Sequence, residues 1–204
     1  MKVILDSSCL QDCGFESIDT IEREPYPVLF GVERRMRMKI RPATRPDLEA
    51  ITALHIESCK DAYSHIFPAE FLEEQLPENL RRHWKTIEIR REDLVLIAEE
   101  DALIGFVAVW CRPAPFIDNL HVRPSYRSKK VGTALMKSVA EQLIGRGHKT
   151  AYLWVFESNG RAIRLYERLG GVQREKTERA VFGYDVLSCR IEWDNLNSIL
   201  DCVR

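Results

Sequence analysis

With 204 residues the chain can build one sizeable core, or one domain with an appendage, and is short for two full domains. It is 45% apolar and 30% charged with a formal net charge of -1, the balance of an ordinary soluble globular protein, which argues against a nucleic-acid-binding or membrane surface. The longest apolar runs, such as Leu94 to Ala98 and Phe106 to Trp110, are far too short to cross a bilayer and read as buried strands.

Residues 1–37 differ from everything after them. Pro25 and Pro27 interrupt the stretch, acids and bases are scattered, and no apolar periodicity lasts, which predicts an appendage to a domain over 38–204. Met36 and Met38 are candidates for the natural start. Met1-Lys2-Val3-Ile4-Leu5-Asp6 puts an acid where a signal peptide would extend its apolar run, so a cytoplasmic protein with six reduced cysteines is expected. Cys9 and Cys13 form a lone Cys-x-x-x-Cys without a second pair at zinc-like spacing, and no metal site is expected.

Regular patterning begins with a first strand over Met38 to Ala43. Thr44-Arg45-Pro46-Asp47 then reads as a capping box with proline in the first turn, followed by Leu48, Ile51 and Leu54 at helical spacing, so a helix is expected to about Tyr63. A second helical region covers Ala69 to Arg91, with Pro77 marking a break and a fresh start. Leu94 to Glu99 and Leu103 to Trp110 predict a hairpin, and Phe116 to Val122 a further strand. Val131 to Gly145 carries Leu135, Val139 and Leu143 on one stripe and ends in glycines, the pattern of an amphipathic helix with its stop signal. Thr150 to Phe156 reads as a strand, Gly160 to Leu169 as a short helix, and Val172 to Lys176 and Phe182 to Trp193 as two more strands. Hairpin neighbours within a mixed α/β order exclude a purely doubly wound sheet.

Leu120 to Leu135 is the most informative segment. A strand enters the basic loop Arg127-Ser128-Lys129-Lys130 and then directly a helix with Gly132 in its first turn, so free backbone N–H groups and the positive helix end converge. That arrangement suits phosphate, and Lys129 and Lys130 add point charge; the other reading is a solvated basic loop. A Walker A loop is excluded because Thr133 follows Gly132 where Lys-Ser/Thr is required. The segment resembles the acetyl-CoA-binding motif of the GNAT N-acetyltransferase family, Gln/Arg-x-x-Gly-x-Gly/Ala, with Arg127 first and Gly132 last. Lys130 stands where the family usually has glycine, and is expected to keep φ below zero. Asn159-Gly160-Arg161-Ala162-Ile163-Arg164-Leu165-Tyr166-Glu167-Arg168-Leu169-Gly170 resembles the family's Asn-x-x-Ala-x-x-x-Tyr-x-x-x-Gly pattern. It departs first at Gly171, where phenylalanine is commoner. Gly105 to Val109 resembles the family's third strand, and the similarity covers about residues 38 to 193.

The resemblance implies an α+β fold, the GNAT acyl-CoA N-acyltransferase fold, with a twisted mixed sheet of about six to seven strands and flanking helices. It implies acetyl-CoA as cosubstrate, with backbone groups of Leu120 and Val122 holding the acetyl carbonyl and pantetheine arm. The loop residues Arg127, Lys129, Lys130, Val131, Gly132 and Thr133 would take the pyrophosphate, and Asn159 and Ala162 the adjoining arm. By the same resemblance Tyr166 protonates the departing thiolate, since a phenol with a pKa near 10 stays protonated at neutral pH.

The base is open. The family's glutamate position on the fourth strand is Phe116 here. Alternation puts Asp118 on the face of Phe116, Leu120 and Val122, and Glu157 ends the next strand; both are candidates, beside a water relay. His121 falls on the opposite face. The stretch Glu57 to Pro68 resembles small bacterial GNATs, including polyamine acetyltransferases, and is expected to border the acceptor pocket. Phe116, Trp110 and Trp154 are candidates for its apolar walls. The expected partner is a small-molecule or peptide amine, with no nucleic acid or membrane, and a homodimer is left open. The competing reading is a catalytically silent CoA-binding or interaction module.

Overall fold

The structure is a computed structural model and describes residues 38–202. The expected appendage, with Cys9, Cys13 and Met36, lies outside the described residues. Among those described, no helix is long and apolar enough to cross a membrane.

The chain opens with β1 (Lys39–Pro42) and a single 3-10 turn, Arg45–Asp47, that leads into α1 (Leu48–Tyr63). The capping box is present: Asp47 Oδ2 accepts from the Thr44 backbone N–H and from its hydroxyl, each at 2.7 Å. Pro77 does not interrupt the second helical region. Its missing N–H falls where a π-type turn, Phe71–Gln75, passes into α2 (Leu76–Thr86), and the change of winding absorbs it. β2 (Leu94–Glu99), β3 (Leu103–Cys111) and β4 (Pro115–Val122) form a meander, followed by α3 (Val131–Gly145), β5 (Ala151–Phe156) and α4 (Gly160–Arg168). β6 (Val172–Val181) and β7 (Tyr184–Trp193) make a hairpin longer than expected, and α5 (Asn197–Asp201) was not anticipated.

Seven strands form one sheet in the order β1-β2-β3-β4-β5-β7-β6, antiparallel throughout except between β4 and β5. On one face α3 and α5 cover Leu96, Val107, Leu153 and Ile191, and the predicted stripe Leu135, Val139 and Leu143 is fully buried there. Cutting one of these leucines to alanine would cost about 2–5 kcal/mol. On the other face Ile51 and Leu54 of α1 and Trp84 of α2 pack on Val95, Ile97, Phe106 and Ala108. A third cluster, with Phe67, Phe71 and Leu80, lies under Val186 of the β6–β7 hairpin.

Two irregularities position the site. β4 and β5 are joined at one residue pair, Phe116 with Tyr152, whose rings stack at 5.1 Å, and then part. Opposite Ala108 and Val109 of β3 the β4 register steps from Asn119 to Ile117, so Asp118 is an extra, bulged residue.

Candidate active site

Beyond Phe116 the edge of β4 has no partner strand, which leaves backbone groups between Ile117 and Val122 available to a ligand. Two cavities reach this gap. One, of about 490 Å³, runs along the N-terminal turns of α3 and α4 past Leu120 and Val122. The other, of about 470 Å³, is bounded by Asn79, Leu80 and His83 of α2, by Trp154 and Phe156 of β5, and by the hairpin residues Arg179 to Phe182. They share Tyr63, Leu120, His121, Asn159, Ala162 and Tyr166, and so meet at the parted strands.

In α3 the Ala134 amide donates to the Lys130 carbonyl at 2.9 Å, which leaves the amides of Val131, Gly132 and Thr133 without helical acceptors at the first cavity. With the positive helix end this arrangement suits an anion. A Cβ at Gly132 would meet Leu165 Cδ2 at 3.4 Å, ordinary contact, so packing does not demand glycine; an unobstructed approach to these amides does. Arg127 and Lys130 line the cavity, Arg127 paired with Asp61 of α1. Lys129 is not on its wall: its Nζ sits over the Tyr126 ring, 4.4 Å from the centroid. Arg161, which sequence reasoning passed over, lines the cavity and donates to Ser128 Oγ at 3.3 Å.

Asn159 caps α4 by accepting from the Ala162 amide at 3.2 Å, and the helix then carries Tyr166 to the junction of the cavities. The ring is buried, edge-on to Trp193 at 6.0 Å, and burial pushes its phenol well above the ordinary value of 10. Its hydroxyl bonds no described residue. Tyr63 is a second phenol at the junction, also shifted upward, chiefly by burial.

The bulge changes the expected arrangement of Asp118. Leu120 and Val122 pack towards α3, whereas Asp118 accepts at Oδ2 from Trp110 Nε1 at 2.9 Å, and Trp110 packs on the α1/α2 face. Asp118 therefore does not share a face with Leu120 and Val122, because one inserted residue inverts the alternation. It lines the second cavity. Glu157 is on neither cavity wall; its carboxylate pairs with Lys176 Nζ at 2.9 Å. Of the expected apolar walls, Phe116 and Trp154 line the second cavity and Trp110 does not.

His121 faces α1, where its Nδ1 lies 3.0 Å from Ser58 Oγ and its ring stacks on Phe106. Burial, aided by the Arg127 charge, pulls its pKa from 6.5 to about 4. Its neighbour His55, at 4.3 Å between ring centroids, is driven well below 6.5, first by burial. His55, Cys59 and His121 bring three potential metal-ligand atoms within 4.8 Å of one another. Yet Trp84 Nε1 donates to His55 Nδ1 at 3.1 Å, and an indole nitrogen can only donate. The proton of neutral His55 is then on Nε2, which has no lone pair for a metal, and the Cys59 thiol is pushed up to about 12 by burial. The donor set does not suit an ion.

Comparison with known proteins decides the family. The profile described as "Acetyltransferase (GNAT) family" matches residues 56–171. The chain belongs to the GNAT acetyltransferase family. An uncharacterized N-acetyltransferase of Archaeoglobus fulgidus is 29% identical over 138 residues, 63% of this chain and 89% of that protein. A spermidine N(1)-acetyltransferase of Thermoplasma acidophilum is 25% identical over 155 residues, 72% of this chain and 95% of that one. Among solved structures, PaiA N-acetyltransferase from Thermoplasma acidophilum, in complex with coenzyme A, superposes with a TM-score of 0.57 at 22% identity. The match covers 78% of this chain and 100% of PaiA.

The protein is thus a GNAT acyltransferase with the acyl-CoA N-acyltransferase fold, and two of its departures from the GNAT pattern, Lys130 and Gly171, have structural accounts. Lys130 does not keep φ below zero: it is left-handed, with φ 63° and ψ 10°, the conformation glycine takes without strain. Lysine is held there because the chain must turn from the loop directly into α3, at a cost of about 1–2 kcal/mol. At Gly171 a Cβ would come within 2.6 Å of Ile191 Cγ2 and 2.9 Å of Trp193 Cζ2. Trp193, which donates to the Leu169 carbonyl at 2.9 Å, occupies the space a larger side chain at 171 would need.

Proposed function

We propose that this GNAT protein acetylates a primary amine of a small molecule or peptide by direct attack within a ternary complex. The observation that carries the reading is the meeting of two cavities at Tyr166, one with an anion site at its far end and one walled by aromatics. The spermidine specificity in the name of the Thermoplasma relative supports an amine acceptor.

The residues fit acetyl-CoA, as the free amides over Gly132 and the guanidinium and ammonium charges around them suit a diphosphate. Acetyl-CoA supplies the acetyl group as a thioester. The amides of Val131, Gly132 and Thr133, with Arg127 and Lys130, bind the phosphates, and the unpaired edge of β4 at Leu120 and Val122 orients the arm and acetyl carbonyl. Asn159 and Ala162 hold the turn into α4 that sets Tyr166 in place. Tyr166 Oη gives its proton to the leaving sulfur; burial makes the phenol a weaker acid, and the same exclusion of water makes the departing thiolate a stronger base, so the two effects offset. Asp118, the candidate carboxylate on the acceptor cavity wall, receives the amine proton. No covalent enzyme intermediate is required.

The test is a thiol-release assay with acetyl-CoA and a panel of amines. Amine-dependent release supports the reading. Tight acetyl-CoA binding with no release above hydrolysis for any amine would leave the silent CoA-binding module in its place.

A further inference from the structure

The acceptor cavity carries one charge that neither the motifs nor the reaction requires, the Arg179 guanidinium. Among the described residues lining it, Asp118 is the single carboxylate and Arg179 the single guanidinium; the other titratable groups are the imidazoles of His55, His83 and His121, the Cys59 thiol and the phenols of Tyr63 and Tyr166. Both charges are pre-positioned. The Arg179 guanidinium carbon lies 4.5 Å from the centroid of the Trp154 ring, a cation–π contact that uses none of its N–H donors. The other arginines of the hairpin strands are engaged, Arg174 with Glu192 and Asp194 and Arg190 with Glu192, whereas Arg179 pairs with no described carboxylate. Asp118 Oδ2 accepts from Trp110 Nε1 at 2.9 Å and Asn119 Nδ2 at 2.8 Å, and Oδ1 has no donor among the described residues. Phe116, Trp154 and Phe156 offer apolar wall for a hydrocarbon segment.

We infer that the acceptor is an amine that carries its own carboxylate, an amino acid, with Asp118 taking the ammonium and Arg179 the carboxylate. This rests on the amine acetylation proposed above and names the substrate class of that site. A guanidinium fork fits a carboxylate through two parallel N–H···O bonds, and a carboxylate is what its free edge lacks. A polyamine presents two or more ammonium groups. In this cavity the second would meet Arg179, a like charge, in place of an acid.

Amino acids and their decarboxylated counterparts form matched pairs that differ only in the group at issue: lysine with cadaverine, ornithine with putrescine, tryptophan with tryptamine. The acetyl-CoA-dependent kcat/KM is expected to favour the carboxylated member of at least one pair by roughly tenfold or more, the scale of one charge-assisted contact. Arg179→Gln should shrink that preference through KM, and Arg179→Glu should reverse it, with melting temperatures recorded to confirm both variants fold. Decarboxylated members turned over as well or better, spermidine as the best acceptor, or a preference that survives Arg179→Gln would each overturn the inference. If acetyl-CoA binds calorimetrically and no member of any pair reacts, the amino-acid class is rejected while the cofactor site stands. Absence of acetyl-CoA binding would reject the parent reading and this inference together.

Discussion

Trp84 donates its indole N–H to Nδ1 of His55 at 3.1 Å, and His55 in turn lies 4.3 Å, ring to ring, from His121. Two buried imidazoles are thereby held neutral against each other, with His83, Cys59 and Arg127 as the other ionisable groups that face them. For His121 the folded pKa, about 4, is below the ordinary 6.5, so the unfolded chain binds more protons between these values. Stability is therefore fully present above pH 6.5 and falls as pH drops towards 4, by about 3 kcal/mol from His121, with His55 acting in the same direction. Thermal melts between pH 7.5 and 4 should show a fall of about 10 °C from this source. His121→Asn, which can still bond Ser58, should flatten the profile; an unchanged profile would remove His121 from the account.

The same hydrogen bond bears on metal. Because Nε2 of His55 carries the proton, stoichiometric zinc should leave the melting temperature of the wild-type protein unchanged, whereas a tight site would raise it by several degrees at 100-fold excess over Kd. Melts with zinc and with a chelator check this.

For Tyr166, the phenylalanine substitution keeps the ring against Trp193 and removes the proton donor. Turnover should drop about 100-fold, the lower end for general-acid assistance because a thiolate needs less help than an alkoxide. The hydroxyl has no described partner to lose, so the melting temperature and acetyl-CoA affinity should stay close to wild type. Tyr63→Phe is the comparator, since that phenol also stands at the junction. Wild-type turnover from the Tyr166 variant would end its assignment as the acid.

At Gly132 an added methyl comes no nearer than ordinary contact, 3.4 Å to Leu165, 3.8 Å to Val122 and 3.9 Å to Leu120, so Gly132→Ala should fold normally, and Gly132→Val should block the phosphates from the α3 amides. Calorimetric titration with acetyl-CoA is expected to show weaker binding for alanine and a greater loss for valine, at retained stability. Unchanged affinity in both would place the diphosphate elsewhere.

Lys130→Gly separates backbone from charge. Relief of the left-handed conformation, φ 63°, should stabilise the protein by about 1 kcal/mol, or roughly 2–4 °C. Loss of the ammonium should weaken acetyl-CoA binding, more so at low salt. Melting temperature and affinity moving in opposite directions is the expected signature.

Much of this protein was legible in sequence because the signals are local. The Thr44 and Asp47 cap, the Leu135, Val139 and Leu143 stripe, and Asn159 three residues before Ala162 each depend on neighbours within a turn or two of helix. Tyr166 was singled out by resemblance to the GNAT Asn-x-x-Ala-x-x-x-Tyr pattern, and its role as the acid is part of the proposal.

What only the tertiary structure decided are matters of register, space and pairing between distant segments. Strand alternation put Asp118 beside Leu120, but a bulge set by the match of β4 to β3 turned it to the other face, on the wall of the second cavity. A backbone conformation is not written in residue type, so Lys130 carried no sign of its positive φ. The need for glycine at 171 depends on Trp193, and the exclusion of Glu157 on Lys176, partners separated by many residues of chain. Arg179 fell between the two strands read from sequence, Val172 to Lys176 and Phe182 to Trp193, and carried no signal there. It became a candidate for recognition only with its guanidinium over Trp154 and no described carboxylate beside it, because an unpaired charge is defined by what surrounds it in space.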